Sequence, residues 1–188
     1  MRLSEDAGAH ADPRAPPAAA VLWLTGLSGA GKSTIAEWVV DRLRARDYRV
    51  EHLDGDAIRA LFPEVGFDRA SRESNVRRVG HLASRLAHHG IVVVASLISP
   101  YAASREFVRA LCAHFIEVHV ATPLHECERR DPHHVYARAR SGELANVSGL
   151  DAPYECPSNP ELRIDTSGRS VEDVGSAVLQ RFLETVKA

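Results

Sequence analysis

Apolar residues in this chain gather into five short runs separated by longer amphipathic stretches. The runs are Val21–Thr25, Arg49–Asp54, Ile91–Ala95, Phe115–Ala121 and Leu162–Asp165. Each has strand length, and several are rich in β-branched residues, which fit a pleated sheet. Between them the spacing turns helical. In Ser33–Arg46, Ile35, Val39 and Leu43 fall on one face. Arg72–His89 places Val76, Val79, Leu82 and Leu86 similarly, and Gly90 follows where a helix C-terminus favours glycine. Ala102–His114 and Val171–Val186 also read as helices. Strands alternating with helices predict an α/β fold, a five-stranded, mostly parallel sheet with helices on both faces. Ligands of such sheets bind beyond the carboxyl ends of the strands. The residues that follow each strand are therefore where chemistry is expected.

Composition narrows the setting. A chain of 188 residues suggests one domain, and neither an internal repeat nor a linker divides it. Residues 20–188 read as that domain. Residues 1–19 are Ala/Pro-rich, carry Glu5, Asp6 and Asp12, and are expected to form a flexible tail rather than a secretory or transit segment. Lys plus Arg total 23 against 25 for Asp plus Glu, a net charge of −2. That balance excludes a surface built to bind polyanions, so no nucleic-acid partner is expected. Only Lys32 and Lys187 are lysines; the remaining basic residues are arginines. Cys112, Cys127 and Cys156 form no CxxC pair, which predicts reduced thiols, a cytoplasmic setting and no structural zinc. No apolar run approaches the roughly 18–20 residues of a membrane span.

The first strand runs into Gly26-Leu27-Ser28-Gly29-Ala30-Gly31-Lys32-Ser33-Thr34, which fits G-x-x-x-x-G-K-[ST]. Glycines let the backbone curl until successive N–H groups point at one anion, and the following helix adds its N-terminal dipole. In this pattern Gly29, Ala30, Gly31, Lys32, Ser33 and Thr34 cradle ATP phosphates, Lys32 reaches the outer phosphates and Ser33 ligates Mg²⁺.

The second strand ends in Leu53-Asp54-Gly55-Asp56, with Arg59 one turn on. One carboxylate can hold Mg²⁺ through water while the other accepts a proton from a substrate hydroxyl; an Asp-Gly turn with a helix cap at Asp56 is the plainer alternative. Asp56 and Ser33 are the candidate metal residues. Phe67 offers a surface for a base, Asn75 a hydrogen-bonding amide, and Arg72, Arg77 and Arg78 forked donors for phosphate or sulfate. The stretch 129–149, with Arg129, Arg130, Arg138, Arg140, His133 and His134, interrupts the crossover to the last strand and reads as a mobile lid. Adjacent histidines lacking carboxylate or cysteine partners at ligand spacing do not make a metal site.

The segments GLSGAGKST, LDGDAIR, GF followed by R-x-x-N-V-R-R-V-G, ISPY, RDP, Y-x-x-A-R-x-G and SGLDAPYECPSNPEL resemble the adenylylsulfate (APS) kinases over about residues 20–186. The resemblance implies a P-loop kinase fold, ATP and Mg²⁺, transfer of the γ-phosphate of ATP to the 3′-hydroxyl of APS to give PAPS, and commonly a homodimer. An ATP sulfurylase becomes a possible partner. By the same resemblance Lys32, Asp54 and Asp56 are catalytic, with either aspartate the base. Arg130 joins the ATP site. Arg59, Arg72 and Asn75 hold APS, Phe67 stacks on its adenine, and Ile98 packs on the nucleotide. Arg138 and Val147 are expected at the substrate. Ser99 matches a serine that some bacterial members carry as a phosphorylation site.

The chain departs from the family's pattern in the lid. His133, His134, Ala137 and Arg138 replace Lys, Gly, Lys and Lys, Ser74 replaces a Glu, and Val147 stands where the second aromatic of the adenine clamp is usual. Two rival readings follow: a kinase of the same fold for another anionic nucleotide, such as a CDP derivative, or a nucleotide-binding regulatory homologue.

Overall fold

The computed structural model describes residues 19–62 and 66–187. Apart from Ala19, the expected N-terminal tail lies outside the described residues. In chain order the elements are β1 (Val21–Thr25), α1 (Lys32–Arg44), β2 (Val50–Asp54), α2 (Gly55–Ala60), α3 (Arg69–His88), β3 (Val92–Ser96), α4 (Ala102–Leu111), β4 (Phe115–Val120), α5 (Leu124–Arg130), α6 (Val135–Arg140), β5 (Leu162–Ile164) and α7 (Val171–Lys187). The strands form one sheet in the order β2-β3-β1-β4-β5, and every pairing in it is parallel. The predicted α/β architecture with helices on both faces is present, and the sheet is parallel throughout rather than mostly so.

Period-two alternation explains the continuous apolar runs. Leu22, Leu24, Val92, Val94, Ile116 and Val118 face α1 and α7, where they meet Ile35, Val39, Val178 and Phe182. Val21, Trp23, Val93 and Ala95 face α3 and α4, where they meet Val76, Val79 and Val108. A strand buried on both faces has no polar side to present. Each fully buried aliphatic side chain contributes about 1.5–3 kcal/mol. At Gly80 an added Cβ would lie 2.2 Å from Val108 Cγ2, so only glycine lets α3 approach α4 this closely.

Element ends follow local capping. Helix α3 begins at Arg69 rather than Arg72 because Asp68 caps it, its carboxylate accepting from Ser71 N at 3.0 Å. Helix α4 ends at Leu111 rather than His114, since Cys112 has already turned extended. The expected lid is not structureless: it holds the end of α5 and all of α6. Asp131 caps α6 by accepting from Tyr136 N and Ala137 N. The buried Tyr136 donates its hydroxyl to Ser28 O at 3.0 Å, which pins the lid's base to the loop after β1.

Candidate active site

The loop after β1 has the backbone its glycines allow. Gly29 and Gly31 have φ of 71° and 100°, conformations that side chains resist. A Cβ on Gly29 would also lie 2.9 Å from Cys127 O. The loop is braced from below: Thr122 and Thr166 hydroxyls both donate to Ala30 O, at 3.0 and 3.1 Å. Ala30 is therefore an anchor. Its side chain is fully buried, its N–H bonds to Leu27 O, and it does not line the cleft, unlike its expected role at the phosphates.

The other candidate residues do converge. A cleft of about 790 Å³ at the carboxyl ends of the strands is lined by Gly29, Gly31, Lys32, Ser33, Thr34, Asp54, Asp56 and Arg130. Arg59, Phe67, Arg72, Asn75, Ile98, Ser99, Arg138 and Val147 line it too. Its size suits a nucleotide-scale ligand.

Lys32 Nζ donates to Leu27 O at 2.7 Å. Burial pushes its ammonium pKa down to about 8, against the raising influence of Cys127, Asp56 and Asp54. Asp54, rather than Asp56, caps α2: its Oδ1 accepts from Asp56 N and Ala57 N at 3.0 and 3.2 Å. Its Oδ2 accepts from Ser33 Oγ and Ser96 Oγ at 2.8 and 2.9 Å. Partial burial pushes the Asp54 carboxyl up, but these hydrogen bonds outweigh it and leave its pKa below the ordinary aspartate value. Asp56 lies exposed in the same cleft. The two carboxylates thus differ: one is fixed by four donors, the other faces the open space.

On the opposite wall Phe67 is 53% exposed. The Arg59 guanidinium lies 4.6 Å from its ring centroid, and that of Arg72 5.7 Å. Arg72 is buried and already engaged. It donates to Phe67 O at 2.6 Å, to Ser148 Oγ at 3.1 Å and to Asn146 O, so it ties α3 to the loop that carries Val147. Val147 itself is only 5% exposed and packs into the core beneath α1 and α7. It lines the cleft as part of a wall, not as a free clamp. Asn75 is buried with its Oδ1 unpaired, an acceptor left for a ligand donor.

Ser99 lines the same cleft. It is 2% exposed, its Oγ accepts from Trp23 Nε1 at 3.1 Å, and Arg105 donates to its carbonyl at 2.7 Å. Arg130 donates to Glu126 and to Thr166, and Arg138 lies 3.8 Å from Glu143. The cleft also depends on residues that sequence reasoning passed over. Arg105 holds both Ser99 O and Glu155 O. Tyr136, quoted only within a motif, carries the lid's anchor. No spacing rule marks Arg105; the motif around Tyr136 did carry a signal.

Comparison with known proteins agrees with this geometry. A profile of the adenylylsulphate kinase family matches residues 18–165. The adenylyl-sulfate kinase of Gloeothece citriformis is 45% identical over 86% of this chain and 92% of its own length. The bifunctional enzyme NodQ of Azospirillum brasilense is 48% identical over 86% of this chain, which spans only 26% of that relative. The APS kinase CysC of Mycobacterium tuberculosis, solved with AMPPNP and APS, superposes with a TM-score of 0.85 and 40% identity over 89% of this chain and 99% of its own.

Proposed function

The chain belongs to the adenylylsulphate kinase family, and from that premise we propose that its cleft transfers the γ-phosphate of ATP to the 3′-hydroxyl of adenosine 5′-phosphosulfate, giving PAPS. The carrying observation is that the phosphate loop, the Asp54/Asp56 pair and the Phe67–Asn75 wall line one cleft. ATP phosphates rest on the backbone of Gly29 and Gly31–Thr34, and Lys32 swings from Leu27 O to the β- and γ-phosphates. Ser33 Oγ and the carboxylates are hard oxygen donors, a set that fits Mg²⁺. Among the described residues no cluster of three or more His, Cys, Asp or Glu could cage a metal, and Mg²⁺ held mainly by phosphate oxygens and water needs none. We assign the metal side to Ser33 with Asp54 behind it, rather than to Ser33 with Asp56. When bound, Mg²⁺ neutralises charge on the transferring phosphoryl group.

Asp56, with its carboxylate facing the cleft, takes the proton of the acceptor hydroxyl. Phe67 supports the adenine of APS, Asn75 Oδ1 accepts from the ligand, and Arg59 and Arg72 present positive charge to its sulfate and phosphate. Arg130 and Arg138 face the nucleotides from the lid. A homodimer, an ATP sulfurylase partner and a cytoplasmic location remain proposals. The family resemblance supports the first two. Three free cysteines support the third, and no described helix is long and apolar enough to cross a membrane.

Turnover of APS against a panel of nucleotide acceptors, followed by coupled ADP release, tests this reading. APS is expected to be the preferred acceptor. Turnover of a CDP derivative without APS turnover would overturn it in favour of the rival that Val147 suggests, and ATP binding with no acceptor turned over would favour a regulatory protein.

A further inference from the structure

Asp54 is the inner end of a hydrogen-bond chain that leaves the cleft. Strand side chains alternate, so His52 and Asp54 share one face of β2. The parallel register sets Asp54 beside Ser96 of β3. His52 Nε2 lies 3.0 Å from Ser96 Oγ, while Ser96 Oγ and Ser33 Oγ both meet Asp54 Oδ2, at 2.9 and 2.8 Å.

Donor counting fixes the direction of each link. A serine hydroxyl has one hydrogen, and an ionised carboxylate only accepts. Ser96 therefore gives its hydrogen to Asp54 and receives one from His52 Nε2–H. Ser33 likewise gives its hydrogen to Asp54, which leaves its lone pairs to face the cleft. A hydroxyl must present lone pairs, not hydrogen, to ligate a cation. Asp54 Oδ1 is meanwhile occupied at the start of α2, so the carboxylate has one orientation that satisfies every donor. His52 is not among the residues lining the cleft; its hydrogen-bonded link to the site runs through Ser96.

We propose that His52 is a positioning residue for the metal side of the site: through Ser96 it fixes the rotation of the Asp54 carboxylate, and so turns the Ser33 hydroxyl oxygen toward the Mg²⁺ of ATP. The inference rests on the reading that places Mg²⁺ at Ser33.

The test is calorimetric binding of the non-hydrolysable analogue AMPPNP to the full chain, once with excess Mg²⁺ and once with EDTA. The ratio of the two dissociation constants isolates the metal's contribution. Removing the outer partner of a metal-ligating group commonly weakens metal affinity about 10–100-fold. His52→Leu and Ser96→Ala are each expected to cut the ratio about tenfold, with binding in EDTA and the KM for APS unchanged. Ser96→Ala breaks the same link without altering β2. His52→Gln, whose amide places an N–H near the lost Nε2–H, is expected to restore most of the ratio. A general structural role would instead weaken binding equally with and without Mg²⁺, and that result would overturn the proposal. Ser33→Ala separates the two readings. If it lowers the ratio and His52→Leu does not, the role of His52 alone falls. If Ser33→Ala leaves the ratio intact, the metal is not at Ser33 and both readings fall.

Discussion

The two faces of the sheet are built by different means. The face under α1 and α7 is apolar from β3 to β4, with Leu22, Leu24, Val92, Val94, Ile116 and Val118 packed against helix side chains. Toward the carboxyl end of the sheet polar residues enter this face: Lys32, Ser33 and Asp54 line the cleft, with His52 behind them. The face under α3 and α4 buries charge in the middle of its wall. Arg105 Nε meets Glu117 Oε1 at 2.8 Å with both side chains at most 5% exposed, and Arg109 joins Glu117 to Glu161. Because β4 alternates, Glu117 and His119 point to this face while Ile116 and Val118 point to the other. The first face seats its helices by apolar packing and uses directional bonds around its cleft residues, where Asp54 holds Ser33 and Ser96. The second uses directional bonds: Arg105 also fixes Ser99 O and Glu155 O, and so shapes the wall where the acceptor is proposed to lie.

Cutting the network is the strongest way to break this contrast. Removing one partner of a buried ion pair leaves an uncompensated charge and costs about 3–5 kcal/mol. Glu117→Ala strands two arginines, Arg105 and Arg109, and is expected to lower Tm by about 6–20 °C for a chain of this size. A loss under about 1 kcal/mol in denaturant titration would show that packing, not charge, carries this face.

Lys32→Ala probes the opposite face. Among the described residues the side chain makes one hydrogen bond, to Leu27 O, so little stability depends on it. Removing a preorganised charge at a transferring phosphoryl group costs about 10²–10³-fold in turnover. The expected outcome is a kcat reduced by at least that factor with Tm nearly unchanged. Near wild-type turnover would displace the phosphate loop from its assigned role.

These two faces were not equally legible in the sequence. The phosphate loop could be read because its determinants are local: glycines at fixed spacing, one lysine, one serine, a strand before and a helix after. The strand runs and helical faces were legible for the same reason, since periodicity needs only neighbours in the chain. What could not be read depends on register and on strand order. Asp54 meets Ser96 only because β2 lies beside β3 in a particular register, and the order β2-β3-β1-β4-β5 is not written in any local pattern. Arg105 carries no local signal in the sequence, and it is buried because α4 lies over Glu117. The cap on α2 went to Asp54 rather than Asp56 because extended backbone at Asp54 lets its own side chain reach the next two N–H groups.

Phe67→Ala sharpens the contrast on the acceptor side. Its ring is the most exposed aromatic surface in the cleft, stacked by Arg59 and Arg72. Stacking of a base on an aromatic side chain is worth about 1–3 kcal/mol, so the KM for APS is expected to rise roughly 5- to 150-fold. The KM for ATP should not move, because the phosphate loop lies on the other wall. Equal increases in both would mean that the two walls are not independent.

The smaller of the two stability effects separates the faces by acid sensitivity. His119 is 5% exposed, its ring stacks on Tyr154 with centroids 5.9 Å apart, and its Nδ1 has no hydrogen-bond partner. Burial first, then the charges of Arg163 and Arg105, lower its pKa from 6.5 to about 4. The unfolded chain therefore binds this proton as pH falls through 6.5, whereas the folded chain resists until about 4. Stability contributed by neutral His119 is fully present above pH 6.5 and is lost as pH falls toward 4, by about 2–3 kcal/mol. His119→Phe keeps a ring against Tyr154 and removes the titrating group. Between pH 7 and pH 4.5 its Tm is expected to fall by about 5–10 °C less than that of the unmodified chain. Carboxylates shared by both proteins cancel in that difference. If the two fall in parallel, the polar face owes none of its acid sensitivity to this histidine, and the contrast between the faces rests on the Arg105–Glu117 network alone.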